Sequence, residues 1–337
     1  YLHNASIKWL ENYTGIKYPF KKFDFALIPS FQYGGMEHVG AIQYRANSLF
    51  LDENPSQSRL LSRASLIAHE TAHMWFGDLV TMDWFNDVWT KEVFANFMAA
   101  KMVNPSFPTI DHDLNFLVRH YPSAYGIDRS TGANPIRQDL ANLNEAGQMY
   151  GGIIYNKAPI MMRQLEMLVG EELFREGMQE YLKTYAFKNA TWPNLVNILN
   201  RKTKADLVEW SDVWVNTPGR PTFSVENEQL IQTDPSGKNR VWYQSFNVND
   251  ASDSTRVIAK ASTDMATVAL KGREAAYLAS NALFNADGNG YGLFPASKDI
   301  ITVHWSNMSD LQKGSALINL YEQFLEGNSI EAVEYIE

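Results

Sequence analysis

Cysteine is absent from all 337 residues. No disulfide and no thiolate metal site can form, so any metal must be held by histidine and carboxylate. Long apolar runs are absent too; none approaches the roughly 20 residues that cross a bilayer, and no membrane span is expected. There is no basic cluster, and the net charge is −9. Nucleic acid therefore finds no electrostatic footprint here. No internal repeat and no low-complexity tract interrupts the chain. The lack of cysteine is equally compatible with the cytosol and a bacterial periplasm, so localisation is left open. Tyr1 stands where a start methionine would, no signal-peptide pattern follows, and the chain ends inside a helical pattern at Ile330–Glu337. A piece of a longer protein is expected.

What is present is an ordinary globular composition, 45% hydrophobic and 20% charged, long enough for two or three domains around a large core. Its most informative stretch is His69-Glu70-Thr71-Ala72-His73, followed by Glu92. Two histidines four residues apart lie on one helix face, about 6 Å and one turn from each other. At that separation two imidazoles can bind one zinc ion. Glu70 lies between them and reaches a metal-bound water rather than the metal. Glu92 adds a carboxylate from a later segment, and three protein ligands with an open fourth position make a catalytic zinc site rather than a structural one. The bland alternative is a polar turn of an exposed helix. Leu60, Leu61, Leu66, Ile67, Met74, Trp75 and Phe76 argue against it, because a helix so flanked is mostly buried, and buried His and Glu need partners. Val88, Trp89, Glu92, Val93, Ala95, Asn96 and Ala99 recur near a 3.6-residue period, which predicts a second helix carrying Glu92 toward His69 and His73.

Lys22–Phe31 and Val39–Tyr44 read as strands joined by a Gly34-Gly35 turn. A helical block follows, with segments at Ser58–Phe76, Asp87–Met102, Thr109–His120, Pro159–Val169, Glu171–Tyr185, Trp192–Lys202 and Leu207–Val215. Thr191 and Asp206 are expected N-caps. Asn216-Thr217-Pro218-Gly219 breaks the pattern. Beyond it, Thr222–Val225, Leu230–Gln232, Val241–Val248, Thr255–Ala261 and Ile300–Trp305 read as short strands of a small antiparallel sandwich. Asp310–Glu326 and Ser329–Glu337 return to helix.

Two further groups carry chemistry or ordinary structure. Gly34-Gly35-Met36-Glu37-His38 is either a hairpin turn with an exposed Glu37 or a close-approach strand edge whose Glu37 holds a substrate ammonium. Tyr150 and Tyr155 flank Gly151-Gly152. A tyrosine hydroxyl near a metal can stabilise an oxyanion, while aromatic packing accounts for most of the 16 tyrosines. Trp75, Trp84, Trp89, Trp192, Trp210 and Trp214 are expected in the core. His112 and His120, with no partner at ligand spacing, are expected at the surface.

Taken together, these residues resemble the aminopeptidase N family of zinc metallopeptidases, the gluzincin aminopeptidases. That family carries Gly-x-Met-Glu-Asn, then His-Glu-x-x-His, eighteen residues and Glu. Gly34–His38 matches the first motif except that His38 replaces Asn; His69–His73 and Glu92 match the second at the full spacing. Trp75–Thr81 and Trp84 resemble the family's flanks, Tyr155-Asn156-Lys157-Ala158 its Tyr-x-Lys-Gly, and Asn134-Pro135-Ile136 its His-Pro-Ile. Val93 and Ala158 each replace a glycine, and Lys91 stands where Asn is common.

The resemblance implies an α+β fold: a thermolysin-like (zincin) catalytic domain with a mostly helical second half over residues 1–217, a small β-sandwich over 218–306, and the start of a truncated helical domain over 307–337. It implies one zinc ion on His69, His73 and Glu92, with Glu70 as general base and Tyr155 as oxyanion donor. Glu37 would bind the free N-terminus of peptide substrates. Gly34, Gly35, Met36 and His38 would place substrate backbone, and Tyr33 would line the first side-chain pocket. A zincin endopeptidase with the same metal site, or a non-catalytic zinc-bearing domain, are the alternatives in other classes.

Overall fold

The computed structural model describes residues 1–261, 267–270 and 275–328; the expected Ser329–Glu337 helix lies outside them. Helices and strands are mixed, as an α+β chain requires. Two compact units interleave along the sequence.

The first unit comprises 1–110, 137–155 and 169–208. It opens with an unexpected helix, Leu2–Thr14, which lacks a side-chain N-cap and ends at Gly15 in the left-handed region (φ 66°). Without an N-cap residue there is little start signal to read. Three strands follow: β1 (Phe25–Ile28), β2 (Gly35–Met36) and β3 (Ile42–Arg45). β1 pairs with β3 in parallel and β2 pairs with β3 antiparallel. The expected hairpin across Gly34-Gly35 is thus corrected: Gly35 lies within β2 rather than at a turn. Arg45 explains how the intervening loop is held, because its guanidinium donates to the carbonyls of Phe31 (2.8 Å), Gln32 (2.6 Å) and Tyr33 (3.1 Å).

Two long helices of this unit are Gln57–Ala72, capped by the Ser56 hydroxyl, and Val88–Val103. The first ends four residues before the expected Phe76, although His73 keeps helical geometry and its N–H still reaches the His69 carbonyl at 3.2 Å. Ala64, Ala68, Ala99 and Val103 form one buried cluster. Small side chains there let the helices approach closely. Between the helices, β4 (Val80–Met82) pairs in parallel with β5 (Lys188–Ala190). Asp87, buried ahead of the second helix, accepts from Arg137 Nε at 2.6 Å and Nη2 at 3.2 Å, and from the Trp192 N–H at 3.3 Å. Thr191 is the N-cap of the Trp192–Asn200 helix, as expected, and forms a capping box with Asn194. Trp75, Trp89 and Trp192 are buried, but Trp84 is 42% exposed, contrary to expectation; its indole N–H donates to the Leu140 carbonyl at 2.8 Å, so its polar edge rather than its whole ring is satisfied.

The second unit comprises 111–136, 156–168 and 209–337. Its strands are β6 (Thr222–Glu226), β7 (Gln229–Thr233), β8 (Phe246–Asp250), β9 (Asp253–Ala261), β10 (Thr267–Ala269) and β11 (Ala282–Phe284). They form two three-stranded antiparallel sheets, ordered β10-β7-β6 and β11-β8-β9. Phe223, Leu230, Phe246, Val248, Val268 and Phe284 draw both sheets into one core. The expected Val241–Val248 strand begins only at Phe246. Ahead of it the Gln232 side-chain amide substitutes for a strand partner, accepting from the Trp242 N–H (2.7 Å) and donating to its carbonyl (3.2 Å). The expected Ile300–Trp305 strand is a helix, Lys298–His304, capped by Ser297. Ile300 is 4% exposed and Val303 65%, a one-sided burial that β-branched propensity alone did not reveal. His112 and His120 sit half-buried on the His112–Asp128 helix rather than at the open surface.

The centre of this unit holds a buried ion pair, Lys157 Nζ to Asp128 Oδ2 at 2.7 Å with both side chains 0% exposed. Lys157 also donates to the Gly219 carbonyl (2.8 Å), while Asp128 accepts from the Tyr291 hydroxyl (2.8 Å) and the Gly219 N–H (3.2 Å). Burial pushes the Lys157 ammonium pKa down, so the pair is retained by its partners and not by solvation. Removing one partner of such a pair costs about 3–5 kcal/mol. Asp128→Ala should therefore lower unfolding free energy by about that amount in urea titrations. Asp128→Leu with Lys157→Met should regain only part of the loss, since Tyr291 and the Gly219 N–H stay unpaired. A double variant no more stable than Asp128→Ala would refute this account of the pair.

Candidate active site

The Gln57–Ala72 helix and the turn after it direct His69 and His73 at each other. Their Nε2 atoms are 3.0 Å apart. Each ring is oriented from its far side: His69 Nδ1 meets Asn96 Oδ1 at 3.0 Å, and His73 Nδ1 meets the Phe76 carbonyl at 3.0 Å. A carbonyl only accepts, so His73 Nδ1 carries a proton, and in the neutral ring Nε2 is left with a bare lone pair. Two imidazole lone pairs at that distance repel unless a proton or a metal ion lies between them. Burial, followed by the neighbouring His73, pushes His69 down to about 3, so His69 presents a bare Nε2 lone pair at neutral pH. This orientation through the outer nitrogen is the arrangement that metal-ligating histidines commonly use.

The Val88–Val103 helix supplies the carboxylate. Glu92 is 8% exposed, so it is not the solvated residue of an amphipathic face. Its Oε2 is 3.6 Å from His69 Nε2. Asn96 lies one turn further on the same face, which is how a single helix both brings a carboxylate to the histidines and orients one of them. Glu37, His73 and Glu92 offer ligand atoms within 4.8 Å of one another, as do His69, Glu70 and His73. Two imidazoles and a carboxylate fit a borderline divalent ion such as zinc better than calcium or magnesium, which favour all-oxygen sites.

Glu70 is 3% exposed and lies against β2. A Cβ at Gly35 would come 2.1 Å from Glu70 Oε1, so glycine is required there by contact, not by backbone angle. Burial, and after it the charges of Glu37 and Glu92, raises Glu70 to about 8. Opposite charge beside a carboxylate lowers its pKa. A dication at the histidines would therefore return Glu70 to the form that accepts a proton.

Glu37 follows β2 and is ion-paired with Lys91, whose Nζ is also 3.3 Å from Glu92 Oε1. Burial alone would raise Glu37; the charges of His73 and Lys91 outweigh it and hold Glu37 down to about 2. Lys91 is shifted up because Glu92 and Glu37 outweigh its burial. Its stem runs beside Gly77, where an added Cβ would meet Lys91 Cβ at 3.5 Å.

Tyr155, 37% exposed on the Ile153–Lys157 turn, is shifted up by burial and then by the charge of Glu92, and it also feels Tyr150, Lys91 and Glu37. Met36 is half-buried in β2 and Gly34 is exposed just before it, while Tyr33 is 50% exposed with its ring edge-on to Phe31. His38 is exposed beyond the strand; its carbonyl accepts from the Ala41 N–H at 2.9 Å. Val93 and Ala158 are buried, so the two glycine replacements change packing rather than add a group to the site. Sequence reasoning missed three participants. Asn96 was detectable at four residues from Glu92 on one helix face. The Phe76 carbonyl was not, because any residue offers one. Tyr150, which flanks Gly151-Gly152 together with Tyr155, has Lys91, Glu92, Glu37 and Tyr33 in its electrostatic surroundings, but the motif resemblance reaches Tyr155 alone.

The model of the Peptidase family M1 domain matches residues 2–214. Among curated relatives, a probable aminopeptidase 1 of Sulfurisphaera tokodaii is 36% identical over 66% of this chain and 28% of its own length. Aminopeptidase N of Streptomyces lividans is 35% identical over 68% of this chain and 26% of its own. Tricorn protease-interacting factor F2 of Thermoplasma volcanium is 29% identical over 98% of this chain and 42% of its own. The chain thus spans less than half the length of these relatives. With the motif spacing, the site geometry and a family match over most of its length in agreement, the chain belongs to peptidase family M1, a family of zinc metallopeptidases.

Proposed function

We propose that this chain carries the catalytic machinery of a zinc aminopeptidase, which removes N-terminal residues from peptides. The observation that carries the reading is the pair of converging histidine Nε2 atoms at 3.0 Å, each ring held from behind. In this reading His69, His73 and Glu92 hold one zinc ion, and residues 1–217 form a thermolysin-like zincin domain. A small β-sandwich over 218–306 and the helix Asp310–Leu325 follow it. The family match ending at 214 and the strands β6–β11 between Thr222 and Phe284 support those divisions.

Zinc, when bound, supplies Lewis acidity toward water and the scissile carbonyl. The chain's own residues do the rest. Glu70 takes the proton of the attacking water and passes it to the leaving amine. The Tyr155 hydroxyl donates to the carbonyl oxygen as that atom gains charge. Glu37, held ionised at the end of β2, binds the substrate's ammonium and so makes the enzyme an exopeptidase. Gly34, Gly35, Met36 and His38 seat substrate backbone along β2, and Tyr33 lines the first side-chain pocket.

Glu70→Gln should leave zinc content unchanged and lower turnover by about 10²–10⁴; a chelator should abolish wild-type turnover, and added zinc restore it. Chelator-resistant hydrolysis, or an active Glu70→Gln protein, would sink the assignment. Glu37→Ala should raise KM for free aminoacyl amides by about tenfold, near 1.4 kcal/mol, while leaving N-acetylated ones unaffected. Efficient cleavage of blocked internal peptides by the parent would instead identify an endopeptidase. Tyr155→Phe should cut kcat by about 10²–10³ with KM little changed; a fall in thermal stability that accounts for the whole loss would return Tyr155 to a packing role.

A further inference from the structure

The anion assigned to the substrate's amine already holds an ammonium. Lys91 Nζ is ion-paired to Glu37 and lies 3.3 Å from Glu92 Oε1, with the three side chains only 10–15% exposed. Two carboxylates thus share one ammonium here. Without Lys91 the free protein would hold two neighbouring carboxylates with little water, an arrangement that is costly unless a cation is supplied. Lys91 is therefore more than a neighbour of a metal ligand. It does in the empty site what an incoming amine would do in the filled one.

We propose that Lys91 is a specificity-determining residue: in the free enzyme it substitutes for the substrate's ammonium on Glu37, and by its charge it weakens binding of that ammonium. The inference rests on the reading of Glu37 as the amine anchor. An incoming α-ammonium must share the carboxylate with Lys91 or displace it, and in either case two cations approach within a few ångströms. In so dry a site the solvent screens such a like-charge pair far less than bulk water does. Lys91 can relax toward Glu92, which relieves part of the repulsion. About one order of magnitude in affinity remains as the expected contribution. A substrate whose amine is blocked brings no second cation and is indifferent to Lys91. The lysine thus trades affinity for free amines against stability of the empty site, and it lowers the discrimination between free and blocked N-termini below what Glu37 alone would give.

A role limited to holding Glu37 in place makes the opposite prediction. If Lys91 only fixed the carboxylate, its removal would loosen the anchor and weaken amine binding. The sign of the change separates the two.

The probe is 3-methylbutylamine, which has a free amine and no hydrolysable bond, with its N-acetyl derivative as the blocked control. Binding is read by calorimetry on the metal-free protein and by competition against turnover on the zinc-loaded protein, so loss of metal from a variant cannot hide the result. Lys91→Gln and the near-isosteric Lys91→Met should bind 3-methylbutylamine about tenfold more tightly than the parent and the N-acetyl compound within about twofold. Lys91→Arg, which keeps the charge, should show no gain. The uncharged variants should also unfold at lower temperature, and 3-methylbutylamine should raise their unfolding temperature more than it raises the parent's. Unchanged or weaker amine binding in both uncharged variants would overturn the inference. Glu37→Ala in the parent tells which reading has failed. If it weakens 3-methylbutylamine binding while the Lys91 variants show no gain, the anchor stands and the role of Lys91 falls. If it has no effect, Glu37 is not the anchor and both fall together.

Discussion

Two imidazole lone pairs aimed at one point are the constraint on which the rest of the site depends. Nothing in a protein core makes that arrangement favourable by itself. It persists because each ring is fixed from its outer nitrogen, His69 by the Asn96 side chain and His73 by the Phe76 carbonyl. The first of these supports comes from the helix that also provides Glu92. The second comes from the turn that ends the histidine helix, and Gly77 follows with a φ of 136° that few other residues adopt. Metal binding would therefore relieve a repulsion that the fold has already imposed.

Charge around that point is arranged in the same manner. Glu37, Glu70 and Glu92 converge on a half-buried cluster in which Lys91 is the near cation, and their environments push them apart: Glu37 is held down to about 2 and Glu70 raised to about 8. Carboxylates with separated proton affinities can take separate roles, one permanently charged and one exchanging a proton. The contact of Gly35 with Glu70 adds a steric element. The strand that would seat a substrate and the carboxylate that would act on it touch through the one residue with no side chain to interpose.

The elements legible in the sequence were those with strong periodicity or caps. The Gln57–Ala72, Val88–Val103, Glu171–Tyr185 and Asp310–Leu325 helices fall within a few residues of expectation. Elements were missed where local preference and tertiary context disagree. Ile300-Ile301-Thr302-Val303 has the composition of a strand, but Ser297 caps it as a helix that buries one face. Val241–Ser245 alternates as a strand does, yet it receives its backbone partner from the Gln232 side chain. Gly34-Gly35 looks like a turn because glycine pairs usually are turns, whereas here Gly35 lies in a strand whose neighbour leaves no room for a Cβ.

By itself the sequence determined the candidate set for the reaction. His69, Glu70, His73 and Glu92 follow from helical spacing and from the absence of cysteine, because covalent spacing on a helix translates directly into position. Only the tertiary structure decided what those residues face: which atoms orient the rings, how close Gly35 comes to Glu70, and that Lys91 sits on Glu37. Such contacts join residues tens of positions apart, and their energies come from desolvation and charge proximity in the packed core. A one-dimensional pattern of side chains does not encode either quantity until the chain has folded.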